Sequence, residues 1–190
     1  MLNQELKGYY KDLFDKNGAT PAAVQYADRQ SQYCRFNVLT SIAENISSIM
    51  DVGCGLGDMY GYLKENGYKG SYHGIDFVHD FITHANETYQ NDSNATFSEI
   101  DIREEDLPEG YDYVVLSCVF NNKMDDNQEF MNETIKKMYK TCNKGVAFNA
   151  MSTYVDYQDD HLFYTNPLEV FDFCKRNLTS RIILKNDYLV

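Results

Sequence analysis

The stretch that decides how this chain is read is Asp51-Val52-Gly53-Cys54-Gly55-Leu56-Gly57-Asp58. It follows a short apolar strand, Ser47 to Asp51 (SSIMD), and precedes a helical run from Met59 to Asn66 that stops at Gly67. A strand, a glycine-rich turn and a helix make a nucleotide-binding unit. Gly53 and Gly55 can take backbone angles that a Cβ resists, and they let a ligand come close to the main chain. Gly57 would ease packing at the start of the helix. A Gly-x-Gly pattern alone is weak evidence; the strand before it and the helix after it give it weight.

Outward from the turn the pattern repeats. Strands are expected at Ser71 to Asp76, Ala95 to Ile100, Tyr111 to Cys118, Gly145 to Ala150 and Ser180 to Lys185. Helices are expected at Val78 to Gln90, Gln128 to Cys142 and Pro167 to Asn177. YDYVVLSC is apolar enough to be buried on both faces of a parallel sheet. Before the turn, residues 1–20 read as a polar-aromatic helix ending near Asn17-Gly18, and Thr20-Pro21 opens a second helix running to about Ala43. Alternating strands and helices imply an α/β fold: a Rossmann-like, doubly wound, mostly parallel sheet in three αβα layers. The 190 residues fit one domain, with helical 1–45 ahead of a 46–190 core.

Bulk properties exclude several classes. A net charge of −12 with no Lys/Arg run offers no basic footprint for a nucleic acid. The 5 Cys form no Cys-x-x-Cys pair, so they read as free thiols in a reducing compartment, and no metal is expected. The N-terminus lacks the pattern of a signal peptide, and no apolar run is long enough to span a membrane. The expectation is a soluble cytoplasmic protein. The 16 Tyr with no Trp read as base composition rather than as an aromatic binding surface.

Spacing then narrows the ligand. A dinucleotide site wants a third glycine at position 58, under the pyrophosphate, and Asp58 stands there. A carboxylate there repels a pyrophosphate. S-Adenosylmethionine has no phosphate, and its ammonium and sulfonium suit acids near the turn. Asp76, about 20 residues on, sits where an acid takes ribose hydroxyls, and its two oxygens match a vicinal diol; its other reading is a helix N-cap. Phe77 could pack on adenine. Asp101 could accept from the adenine amino group, with Ile102 as an apolar edge. Open α/β sheets bind ligands beyond the carboxyl ends of their strands, which puts Ser117 to Asn121, Cys118 included, beside the sulfonium.

At this point DVGCGLGD resembles the first motif of the class I S-adenosylmethionine-dependent methyltransferases, and GID their acidic second-strand motif. FSEIDI and YDYVVLSCVFN resemble the third and fourth strand motifs. QSQYCRFNVL, AFNAMSTYVDYQDDHLFYTNP and FCKRNLTSRIILKNDY resemble a bacterial subgroup acting on small molecules. The resemblance implies S-adenosylmethionine as cofactor, leaving S-adenosylhomocysteine. It implies a lid of N-terminal helices, with Tyr10, Gln32 and Arg35 near the methionine end. Arg35 would grip the cofactor carboxylate, or else serve as a surface or inter-helix charge. Subgroup members continue past the last segment with another strand, so the final antiparallel strand is expected to be missing. A sheet edge left that way needs cover or a partner, such as a second copy of the chain.

The sequence does not disclose the acceptor. Amino methyltransferases of DNA and RNA resemble one another in an Asn/Asp-Pro-Pro-aromatic motif, where this chain has SCVF. None of the 3 Pro precedes a Cys, as a cytosine C5 enzyme would need. A small polar metabolite fits best, a sugar or capsule precursor among them. The alternatives are a non-catalytic cofactor-binding or regulatory domain needing a partner, and a nicotinamide enzyme, which Asp58 disfavours. His161, Tyr154 and Asn121 are the catalytic candidates. His161 reads either as a general base, the role histidine side chains commonly serve, or as a loop histidine held by Asp159 or Asp160.

Overall fold

Alternation along the strands divides the core between two helical layers. In the computed structural model, which describes residues 3–188, Ile49, Tyr72 and Val115 face one way. They meet Phe36 and Leu39 of α2 (Arg29–Thr40), Met59, Tyr60 and Leu63 of α3 (Asp58–Glu65), and Ile82 and Ala85 of α4 (His79–Thr88). Met50, Val52, Ile75, Val114 and Leu116 face the other way. There they meet Met131, Ile135 and Met138 of α5 (Asn127–Thr141) and Val170 and Cys174 of α6 (Pro167–Asn177). The result is the expected αβα sandwich.

The strands are β1 (Ser48–Val52), β2 (Ser71–Asp76), β3 (Ala95–Glu99), β4 (Tyr111–Leu116) and β5 (Cys142–Phe148). Their order is β3-β2-β1-β4-β5, and every ladder is parallel. The chain winds outward from β1 to β3, then returns to the other side of β1 for β4. That reversal opens a crevice between β1 and β4 at their carboxyl ends. The glycine turn leaves β1 at this crevice.

Three expectations are corrected. The second helix is broken in two. A 3-10 turn spans Pro21–Val24, Gln25 takes a left-handed φ of 62°, and α2 starts only at Arg29. Asp28 makes the restart, since its carboxylate accepts from the Ser31 N–H at 2.7 Å and caps the new helix. β5 begins directly after α5, with no loop between Thr141 and Cys142. Ser180 to Lys185 forms no strand, and Ile183 is 92% exposed. Its aliphatic residues carry β-propensity, but propensity without a paired neighbour does not make a ladder. Local bonds hold its start instead, Lys175 Nζ to the Ser180 carbonyl and the Arg181 N–H to Thr179 Oγ1. Among the described residues no antiparallel strand joins the sheet. The chain end at Val190 lies outside them. No described helix is long and apolar enough to cross a membrane.

Helix α1 (Asn3–Asn17) and the 3-10 turn lie over the crevice, where Ala23 packs with Leu56, Val78 and Phe81. The seat of α5 is the test of the second layer. Met138 is fully buried there. Met138→Ala is expected to lower unfolding free energy by about 2–5 kcal/mol. Urea denaturation followed by circular dichroism measures it; a loss well under ~1 kcal/mol would show that α5 does not close this layer.

Candidate functional site

The turn after β1 is held from below by β2. The N–H groups of Gly53 and Cys54 both donate to the Ile75 carbonyl, at 2.8 and 3.0 Å. Gly53 and Gly55 have φ of 73° and 54°, in the left-handed region that glycine tolerates. Space demands glycine as well. A Cβ on Gly53 would stand 2.2 Å from Val119 Cγ2, and one on Gly55 would stand 2.9 Å from Val24 Cγ1. Gly57 is the N-cap of α3, packed against Phe97 and Tyr89.

Above the turn lies a cavity. Its floor is Asp51, Gly53, Cys54, Gly55 and Asp58. Asp76 and Phe77 follow β2, Asp101 and Ile102 follow β3, and Ser117 and Cys118 follow β4 on its walls. Tyr10 and Gln32 come down from the N-terminal segments. Thirteen positions singled out from the sequence thus meet in one place, and they come from six separate parts of the chain.

Two buried carboxylates dominate its electrostatics. Asp76 accepts the Gly55 N–H on Oδ2 at 2.9 Å and the Val78 N–H on Oδ1 at 2.9 Å. It therefore braces the turn and starts the segment leading into α4, with the Phe77 N–H as a further backbone donor. Burial pushes its pKa up to about 6, against the lowering pull of the backbone N–H groups. Asp51 is buried more poorly served. Its Oδ2 takes a hydrogen bond from the Tyr72 hydroxyl, and its Oδ1 has no hydrogen-bond partner. Burial pushes its pKa up to about 7; the Tyr72 hydroxyl opposes this and the charge of Asp76 adds to it.

Asp58 is engaged by two residues of α2. Arg29 Nη1 lies 2.5 Å from Oδ1, and Gln32 Nε2 donates to Oδ2 at 3.0 Å. Arg29 was not a sequence candidate. Arg35, which was, does not line the cavity. It donates to the Ser31 carbonyl at 2.9 Å and lies over the Tyr26 ring, an intra-helix and stacking role. Asp101 Oδ1 accepts the Arg103 N–H at 3.0 Å, closing its own turn, with Lys7 4.0 Å from Oδ2. Arg103 reaches the wall too, forked onto Asp126 at 2.8 and 3.1 Å and lying over Phe130.

The catalytic candidates fall outside the cavity wall. The loop from 149 to 166 closes on itself through Thr153 N–H to Thr165 O and Thr165 N–H to Met151 O. That leaves Tyr154 62% exposed and His161 exposed as well. The His161 main chain is occupied, its N–H by Asp159 Oδ1 at 2.8 Å and its carbonyl by the Lys123 N–H. Asn121 is displaced by its neighbour. Asn122 is 5% exposed, and its Nδ2 donates to the Tyr10 hydroxyl at 2.8 Å and to Gln25 Oε1 at 2.9 Å. Gln25 and Asn122 were missed because nothing in an Asn-Asn pair or a lone Gln marks which side chain turns inward. Tyr26 was missed as well; its hydroxyl lies 2.7 Å from Ser117 Oγ, and burial holds its pKa far above the ordinary value. No group of three metal-ligating side chains forms among the described residues.

Comparison with known proteins agrees with this geometry. The methyltransferase domain family matches residues 50–148. A Mycobacterium tuberculosis protein named as a methyltransferase is 31% identical over 147 residues, 74% of this chain and 86% of that protein. Among solved structures, magnesium protoporphyrin IX methyltransferase from Synechocystis PCC 6803 with bound S-adenosylhomocysteine has a TM-score of 0.67 at 13% identity. That match covers 93% of this chain and 89% of the other. The cyclase SpnF has a TM-score of 0.61 at 13% identity, over 80% of this chain and 59% of its own, so the shared fold does not by itself name the reaction. The chain belongs to the class I S-adenosylmethionine-dependent methyltransferase family.

The two carboxylates make stability depend on pH in a definite direction. Both folded values, about 7 and about 6, lie above the ordinary 3.8, so the folded state binds more protons across that window. Stability from these groups is therefore full below about pH 4 and falls as pH rises toward 7. Asp51→Asn is expected to flatten the fall between pH 5 and 8 and to raise the melting temperature most at pH 8. Thermal unfolding across that range checks it; an unchanged slope in the variant contradicts the assignment to Asp51.

Proposed function

We propose that this chain moves the methyl group of S-adenosylmethionine to an oxygen or nitrogen of a small polar metabolite, such as a sugar. The observation that carries this reading is the pair of buried carboxylates in one cavity, one with an oxygen lacking any partner. A buried acceptor without a donor is costly, and a cationic ligand group relieves it. Asp51 suits the ammonium of the methionine end, and Asp76 suits the ribose diol. Phe77 and Ile102 would flank the adenine, with Asp101 near its amino group, and Gln32, Ser117 and Cys118 would face the methionine end. The arginine on the wall, Arg103, is forked onto Asp126, so it offers little to a pyrophosphate.

Bound S-adenosylmethionine supplies a methyl group already activated as a sulfonium. What remains for the protein is alignment and exclusion of water. Tyr10 on the cavity wall, held from behind by Gln25 and Asn122, forms a roof that serves the second task. The net charge of −12 favours a small acceptor over a nucleic acid. A second reading, a domain that binds the cofactor without turnover, is favoured by one observation: His161, Tyr154 and Asn121 all stand off the cavity wall.

S-Adenosylhomocysteine is expected to raise the melting temperature, and NAD to leave it unchanged; stabilisation by NAD alone would overturn the proposal. Asp76→Ala should weaken S-adenosylhomocysteine binding by about tenfold or more, the loss of a charge-assisted hydrogen bond. Labelled methyl transfer into cell-extract metabolites then separates the enzyme from the non-catalytic domain.

A further inference from the structure

Tyr72 lies on β2 beneath the glycine turn, fully buried, and none of the roles above uses it. Its ring packs on Tyr60 and Phe97, with centroids at 5.0 and 5.8 Å. Its hydroxyl is spent on one atom, Asp51 Oδ2. The pair arises from register, because β1 and β2 run parallel with Met50 opposite His73 and Asp51 opposite Gly74. Gly74 has no side chain, and a Cβ there would stand 2.8 Å from Cys54 Sγ. On this face of the sheet the next β2 residue toward its start is Tyr72, and it reaches Asp51 diagonally.

We propose that Tyr72 is a positioning residue for the methyl-donor site: it holds one oxygen of Asp51, leaves the other to the ligand, and eases the loss of the Asp51 proton that ligand binding requires. The inference rests on the proposed donor site. The proton passes from the Asp51 carboxyl to solvent as the ligand ammonium arrives, so charge balances inside the cavity. Burial favours the neutral carboxyl before binding, and the arriving cation favours the carboxylate. Tyr72 tilts that balance, because a hydroxyl donor stabilises the carboxylate.

Among the described residues no cation does the same work. On β2, Asp76 is an acid and adds to the cost of ionising Asp51. On the turn, the Cys54 thiol is buried and pushed well above its ordinary value, partly by Asp51 and Asp76. Beyond β4, Ser117 and Cys118 line the cavity. At the start of α3, Asp58 is paired with Arg29 of α2. Lys7 of α1 acts on Asp76. Tyr72 therefore stands out as the neighbour that favours ionised Asp51.

The test measures S-adenosylhomocysteine affinity by calorimetry from pH 6 to 9. Wild type should bind at least about tenfold more weakly at pH 6 than at pH 8. Tyr72→Phe should weaken binding relative to wild type by about tenfold or more at pH 6, and by under about threefold at pH 9. A loss equal at both pH values would mean that Tyr72 only packs, and the proposal falls; so would a wild-type affinity that is flat with pH. If circular dichroism shows Tyr72→Phe unfolded, Asp51→Asn gives the same decision: its ratio of affinities between pH 8 and pH 6 must shrink below the wild-type ratio, or the proposal falls. Folded wild type with no affinity at pH 8 overturns the donor site itself, a result distinct from flat binding.

Discussion

The hydrogen bond from the Gly55 N–H to the buried carboxylate of Asp76 is the constraint on which the rest of the site depends. It joins the loop after β1 to the end of β2, beside the crevice that the strand order opens between β1 and β4. Two further bonds, from Gly53 and Cys54 to the Ile75 carbonyl, tie the same two segments. A turn built of left-handed glycines would otherwise be loose, since glycine loses more backbone freedom on folding than any other residue. The cost of burying Asp76 is offset by backbone N–H donors, each bond to a charged group contributing about 1.5–3 kcal/mol. One side chain thus braces the turn and leads into α4.

The roof is built on the opposite principle. Tyr10, Gln25 and Asn122 exchange hydrogen bonds among neutral groups, and Asn127 fixes Asn122 by donating to its carbonyl at 2.8 Å. The segments joined are distant in the chain, α1, the loop after the 3-10 turn and the loop after β4. Gln25 reaches its partners from a left-handed φ of 62°, a conformation that costs a non-glycine residue of order 1–3 kcal/mol. Cys118, at the cavity, has the same φ of 62°. Cys118 thus places backbone strain on the wall of the proposed binding site, and Gln25 places it in the contact that holds Tyr10 there.

How much of this was legible follows from what each signal encodes. The strands around the turn were legible because a parallel sheet buried on both faces demands apolar runs, as in Tyr113 to Leu116. The cavity floor was legible because its residues sit at strand ends, where position in the chain fixes position in space. Arg29 and Arg35 show the limit. Both are on α2, six positions apart, and a helix of 3.6 residues per turn sends them to different faces. Only the tertiary position of α2 decides that Arg29 meets Asp58. The loop after β5 failed for a related reason. Tyr154 and His161 lie at the right end of the sheet, but loop self-pairing turns them outward. At Ser180 to Lys185 the β-propensity was real and the partner strand was absent among the described residues.

Asp51 makes the sharpest contrast with Asp76. Both are aspartates at strand ends, both are buried, and the glycine turn separates them. Asp76 collects donors from the main chain, which no side-chain substitution removes. Asp51 has one side-chain donor, Tyr72, and one oxygen unserved. An optimised core would have replaced it, because a buried acceptor without a donor costs about 1–3 kcal/mol. Its burial in that condition is intelligible if the missing partner arrives with the ligand. The instability then belongs to the ligand-free protein and becomes binding energy on closure. A fold that satisfied Asp51 internally would be more stable and would hold a cationic ligand less tightly. The two acids thus divide the work: one holds the turn in shape, and the other is left for what the turn encloses.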